Sequence, residues 1–179
     1  MLQILNAPNP TLSSKAFLVK KVDGQILKLI KDMAVSLEAA SDPVGVGLAA
    51  PQVGKSLQIF IAKPNLKSKI LVFINPKIIS FLPIKKAKRN TFRKLEGCLS
   101  LKDIWGEIER YPEITLEYLD EKANLHSRKF TGFMATIIQH EMDHLDGILF
   151  PKKVLEQKGK LYKSEKDKKG QDVFDEIKI

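Results

Sequence analysis

The sequence holds a single cysteine, Cys98, three histidines and one tryptophan in 179 residues. One cysteine excludes an intramolecular disulfide and fits a reducing compartment. No apolar run approaches the roughly 20 residues that span a bilayer as a helix. Met1 to Pro10 has neither a basic start nor a long apolar core, so no cleaved leader is expected and the cytoplasm is the expected location. No Gly-Lys-Ser/Thr follows a glycine loop, and Gly45 and Gly47 fall short of a dinucleotide fingerprint. Acidic residues are outnumbered 21 to 30, which leaves a net charge of +9. Such an excess suits RNA, a membrane surface or an acidic partner. The lysines are spread along the chain, however, and are denser only over Lys85–Lys94 and Lys152–Lys169. No aromatic residues interleave with them as base-stacking surfaces require. Sequence-specific nucleic-acid binding is therefore not expected; a loose attraction to ribosomal RNA is compatible with the charge.

What is present is the composition of a globular protein, 44% hydrophobic and 28% charged. The length suits one domain over residues 1–179, and no repeat or linker divides it. Two of the three histidines fall in His140-Glu141-Met142-Asp143-His144, an H-E-x-x-H motif. Phe133, Ile137, Ile138, Glu141, His144 and Leu145 recur at helical spacing around it. One turn of helix stacks His140 and His144 on one face, where two imidazoles can bind one metal ion. Glu141 then lies beside the first ligand, placed to handle a proton of metal-bound water. Thr131 is the expected N-cap and Gly147 the expected stop.

A zinc-type catalytic site needs a third protein ligand and an open position. Six residues past His144 stands Phe150, which cannot ligate. Glu165 lies near the distance used by another H-E-x-x-H class, but among lysines in a polar segment with no helical stripe. Cys98 is a candidate thiolate ligand. A free cysteine is as commonly a small buried hydrophobe, and the residues alone leave both open. Gln52 is the one polar side chain in the small-residue loop Val44–Gly54. It can donate to a substrate oxygen, or be a turn amide facing water.

Asp23 is placed to cap a helix running to about Ala40, with Ile26, Leu27, Ile30, Met33, Ala34 and Leu37 as its buried stripe. Leu57–Ala62 and Ile70–Ile79 read as strands. Asn75-Pro76 marks the second as an edge strand or a bulge. Ile104–Ile108, Ile114–Leu119 and Leu125–Phe130 alternate as three more. Lys160–Ile179 reads as a C-terminal hairpin turning at Lys169-Gly170. Strands and helices are segregated along the chain, which predicts an α+β fold. Mostly antiparallel sheets would pack around a central helix carrying H-E-x-x-H.

Three stretches, Gly45-Val46-Gly47-Leu48-Ala49-Ala50-Pro51-Gln52, Glu96-Gly97-Cys98-Leu99-Ser100 and Gln139-His140-Glu141-Met142-Asp143-His144, closely resemble in order and spacing the three motifs of the peptide deformylases. Asn6-Ala7-Pro8-Asn9-Pro10 is similar to the family's start. The resemblance implies a hydrolase that removes the formyl group from the N-terminal formyl-methionine of nascent peptides and releases formate. It implies Cys98, His140 and His144 as metal ligands, with Fe²⁺ the usual natural ion and Zn²⁺, Ni²⁺ or Co²⁺ able to replace it. Hydroxide on the metal would attack the formyl carbon, with Glu141 as general acid and base. The Gln52 side chain and the Leu99 backbone N–H would steady the oxyanion. Gly47 would make main-chain bonds to the substrate, and Val46, Phe133 and Ile137 would line the methionine pocket. A transient association with the ribosome is expected, and none with a membrane.

Where the family commonly has a proline and an arginine after Cys-Leu-Ser, this chain has Lys102 and Trp105. Contacts to the peptide past the methionine are the ones affected, since no ligand is touched. Arg110 matches the family pattern and is expected to pair with Glu96 and steady the Cys98 loop. Two other classes remain on the residues alone. One is an H-E-x-x-H metallopeptidase using Glu165; the other is a basic ribosome-associated protein without catalysis.

Overall fold

The computed structural model describes residues 1–83, 94–167 and 169–178. The lysine-rich stretch over residues 85–93 lies outside the described residues, as does Lys168. Helix α1 spans Gly24–Ala39, and the Asp23 carboxylate accepts from the Gln25 and Ile26 N–H groups at its start. Its buried face is Ile30, Met33 and Leu37, while Leu27 is 44% exposed rather than part of the stripe.

Strands β1 (Gly47–Ala49), β2 (Ile59–Ala62), β3 (Leu71–Phe81), β6 (Glu113–Leu119) and β7 (Leu125–Thr131) form one antiparallel sheet in the order β1-β2-β3-β6-β7. At β1 and β2 this sheet is buried on both faces, so β2 reads as a continuous apolar run. Ile59 and Ile61 face the α1 side with Met33 and Leu37. Phe60 and Ala62 face the other side with Ile137, Ile138 and Leu145 of helix α2 (Gly132–Leu145). In that second layer Phe60 stacks on Phe73 at a centroid distance of 4.5 Å, and Tyr118 packs tilted against Phe73 at 4.6 Å.

The second sheet has the order β4-β5-β8-β9 and is antiparallel throughout, with β4 Lys94–Cys98, β5 Leu101–Ile108, β8 Leu161–Lys166 and β9 Asp172–Glu176. Helix α3, Phe150–Glu156, packs on β5 through Phe150 and Val154. The architecture is the expected α+β arrangement around the H-E-x-x-H helix, and the C-terminal hairpin is present.

Several local expectations are corrected. Asn75-Pro76 marks a bulge, with a register shift after Ile74, but β3 lies in the middle of its sheet rather than at an edge. The break is tied down from outside the sheet. Asn75 takes φ +50°, its side-chain oxygen accepts from the Val19 N–H at 2.8 Å, and its amide donates to the Val19 carbonyl at 2.9 Å. Thr131 stands at the N-cap position of α2 but makes no side-chain capping bond, because the chain runs directly out of β7 into the helix through Gly132 at φ +60°. Gly147 does end α2, at φ +69°. Strand β1, strand β4 and helix α3 were not predicted. The first is three residues long, the second carries a buried glutamate and a glycine, and the third is too short to show a stripe.

Candidate metal centre and active site

Helix α2 and the end of β4 bring three ligating side chains together. His140 and His144 lie one turn apart with ring centroids separated by 5.0 Å. Where β4 turns into β5, Cys98 places its Sγ 3.2 Å from His144 Nε2. One ligating atom from each of Cys98, His140 and His144 lies within 4.8 Å of the others. The donor set fits a metal ion: one sulfur and two imidazoles suit zinc and the softer first-row metals. His140 Nδ1 donates to Glu96 Oε2 at 3.1 Å, which leaves Nε2 for an ion. Among the described residues, Glu141 Oε2 and His144 Nδ1 are buried with no hydrogen-bond partner, and Glu141 Oε2 is the one that belongs to a residue lining the cavity beside the ligands. Glu165 is not part of this cluster. It lies exposed on β8, paired with Lys163 at 2.7 Å, which removes the ligand that the metallopeptidase reading needs.

Gln52 does not face water. It is 2% exposed, at the end of a 3-10 turn after β1. Its Oε1 accepts from the Ala49 N–H at 2.9 Å, which turns Nε2 toward Ser100 Oγ at 3.2 Å and Cys98 Sγ at 3.6 Å. Gln52, Cys98, Leu99 and Glu141 share one cavity of about 210 Å³, and Val46, Gly47, Phe133 and Ile137 line it too. Of these, Ile137 is buried, whereas Phe133 is half exposed. All the residues expected at the site are therefore gathered in one place.

Burial raises the Glu141 carboxyl to about 7, opposed by the His140 charge and reinforced by Glu96. Burial also opposes a charge on His140, but its hydrogen bonds to Cys98 and Glu96 win and hold its pKa well above the usual imidazole value. Burial, with His140 and Arg110 nearby, lowers that of His144. Burial alone would raise Glu96, yet hydrogen bonds from His140 and Arg110 hold it down to about 2.

Beneath the ligands runs a charged network. Arg110 grips Glu96 with two hydrogen bonds of 2.9 Å, as expected from the sequence. Its third nitrogen reaches Asp143 at 2.6 Å, and Lys153 of α3 pairs with the other oxygen of Asp143 at 2.7 Å. The roles of Asp143 and Lys153 escaped the sequence reading. Asp143 sits inside the H-E-x-x-H segment, and a buried carboxylate there is the signal that could have found it.

In sequence and in fold the chain is similar to proteins of known family. The profile of the family described as polypeptide deformylase matches residues 1–160, which include all three motifs. The peptide deformylase of Chlorobaculum parvum is 43% identical over 155 residues, covering 84% of this chain and 78% of the relative. The crystal structure of peptide deformylase from Thermus thermophilus superposes with a TM-score of 0.77 at 35% identity, covering 88% of each chain. That from Thermotoga maritima gives 0.75 at 33% identity, covering 86% of this chain and 97% of the other. With the motifs, the fold and the gathered side chains in agreement with these matches, the chain belongs to the polypeptide deformylase family.

Proposed function

We propose that residues 1–179 act as one catalytic unit that removes the formyl group from the N-terminal formyl-methionine of nascent peptides and releases formate, the reaction of the family to which the chain belongs. The observation that carries this reading is the convergence of Cys98, His140 and His144 with Glu141 and Gln52 around one cavity.

Cys98, His140 and His144 hold a divalent ion, with Fe²⁺ as the resident metal, a choice that the thiolate and imidazole donors support but share with zinc. Bound there, such an ion supplies Lewis acidity and a water of lowered pKa. Glu141 takes the proton of the attacking water and passes one to the leaving amine. Its place beside the first ligand, lining the cavity, suits both transfers. Gln52 Nε2 and the Leu99 N–H donate to the oxyanion as it forms. The bond from the Ala49 N–H to Gln52 Oε1 fixes the amide in advance, so little reorganisation is needed. Val46, Phe133 and Ile137 receive the methionine side chain. Gly47 stands on β1, the outer strand of its sheet, where a main chain can pair with the backbone of an extended peptide.

Among the described residues, no helix is long and apolar enough to cross a membrane. We place the reaction in the cytoplasm, and the +9 charge supports a transient, salt-sensitive association with the ribosome, where such peptides emerge. The test is formate release from formyl-Met-Ala-Ser by protein purified anaerobically, with Glu141→Ala alongside and both assayed for iron and zinc. The parent is expected to release formate. The variant should keep its metal and lose about 10²–10⁴-fold in rate. No release from a fully metal-loaded parent would overturn the reading.

A further inference from the structure

The family match ends at residue 160, and strand β8 begins at Leu161. The hairpin β8–β9 thus lies outside the part of the chain that the family profile describes. It is nevertheless joined to the active-site sheet. Strand β8 pairs with β5 at Ile104↔Lys163, Trp105↔Tyr162 and Gly106↔Leu161, and β5 pairs with the β4 strand that ends in Cys98. Trp105, the one tryptophan of the chain, stands between hairpin and cavity. From the hairpin side it is held by two contacts. Its Nε1–H donates to Ser164 Oγ at 3.1 Å, and Phe174 of β9 meets the indole edge to face at 5.7 Å and 89°. On the cavity side its six-membered ring lies over Gly97, so close that a Cβ there would come within 3.0 Å of it. Around the mouth of the same cavity stand exposed apolar side chains, with Val44 at 49% and Leu95 at 40%. An indole with an acceptor on its nitrogen and a second aromatic ring set perpendicular against it has little freedom left, so it forms a fixed surface rather than a mobile cover.

Resting on the deformylase reading, we propose that the C-terminal hairpin is part of the substrate site. By clamping Trp105 through Ser164 and Phe174, it builds an aromatic wall at the cavity mouth that selects formylated peptides with an apolar side chain after the methionine. The wall is continuous with the pocket proposed for the methionine. With the methionine side chain in that pocket, the residue that follows it is offered the indole, Leu95 and Val44, with no charged group among those three. The flank of Trp105 turned away from the cavity is polar, but its lysines are engaged, Lys163 with Glu165 at 2.7 Å and Lys166 with Asp172 at 2.6 Å. Apolar selectivity therefore belongs to the cavity side of the indole. Ser164 and Phe174 are positioning residues that act through Trp105.

The experiment compares kcat and KM of the metal-loaded enzyme for formyl-Met-Phe-Ser and formyl-Met-Ala-Ser. The parent is expected to favour the phenylalanine peptide by about tenfold in kcat/KM, mostly through KM, the scale of discrimination that an apolar contact gives. Trp105→Ala should bring the two peptides level. Phe174→Ala and Ser164→Ala should each cut the ratio in part, and Ser164→Thr, which keeps the acceptor, should restore it. As a second readout, formyl-Met-Phe-Ser added to metal-loaded Glu141→Ala protein should shift the emission of the single tryptophan, and formyl-Met-Ala-Ser should shift it less. Formate from both peptides at equal kcat/KM, or an unchanged ratio in Trp105→Ala, overturns this assignment and leaves the deformylase reading standing. An unchanged ratio in Phe174→Ala and Ser164→Ala removes the hairpin from the site. No formate from either peptide overturns the deformylase reading, and this assignment falls with it.

Discussion

Gly47 and Glu141 compete for one space. A Cβ built on Gly47 would collide with the Glu141 carboxylate, its Oε1 first and then Cδ at 2.8 Å. The obstructing atoms are the far end of a flexible side chain, so the backbone need not move, but the carboxylate must. Gly47→Ala is therefore expected to leave the fold within about 1 kcal/mol of the parent, the usual scale of a mild substitution. It should depress formate release by about 10²-fold, since general acid–base catalysis depends on placement of the base. Thermal denaturation, metal content and kcat measured together check this; an unaltered kcat would show that the Glu141 position seen here is not the working one. This use of Gly47 was not legible in the sequence. The motif implied main-chain bonds to substrate, whereas the collision emerges only when β1 and α2 are packed together. Gln52 shows the converse. Its residue type announced a donor, and only the Ala49 bond shows which end of the amide points inward.

At the scale of elements, Arg110 ties three of them together: β4 through Glu96, α2 through Asp143, and α3 through Lys153 on the same aspartate. Arg110 and Glu96 are both nearly inaccessible, with side chains 6% and 8% exposed. Removing one partner of a buried charge set leaves the others uncompensated, which costs about 3–5 kcal/mol. Arg110→Met is expected to lose stability on that scale in urea denaturation. It should also weaken metal retention by about 10–100-fold in competition with a chelator, because Glu96 orients His140. Unchanged retention would separate the network from the metal site. The sequence showed the Arg110–Glu96 pair through a motif, and helix α1 through its cap and stripe. It did not show α3, whose only apolar repeat is Phe150 and Val154, nor the buried position of β3. There, Pro76 is tolerated because the register shift spares the sheet a donor that proline lacks.

Over the whole molecule, the α+β class was legible because strands and helices occupy separate stretches. The order of the strands was not, because periodicity says nothing about which strand pairs with which. Nor did the net charge indicate where charge matters. Many lysines of the C-terminal third are paired, Lys153, Lys160, Lys163 and Lys166 among them, and the charges that bear most on stability lie beneath the metal centre. Their effect has a sign. Glu96 has a folded pKa of about 2 against an ordinary 4.5, held down by His140 and Arg110 despite its burial. A carboxyl depressed by folding contributes stability that is complete above its unfolded pKa and is lost as pH falls through the folded one. Between about pH 4.5 and 2 the folded state must therefore give up the Glu96 contacts. Metal ligands also protonate in acid, so the measurement belongs on chelator-stripped protein, where that loss is absent. The urea midpoint of the stripped parent should decline across this window. Glu96→Gln should start lower at neutral pH and lie flatter across it, since an amide has no proton to gain. Parallel declines in the two proteins would move the acid sensitivity away from Glu96 and into the remaining carboxylates.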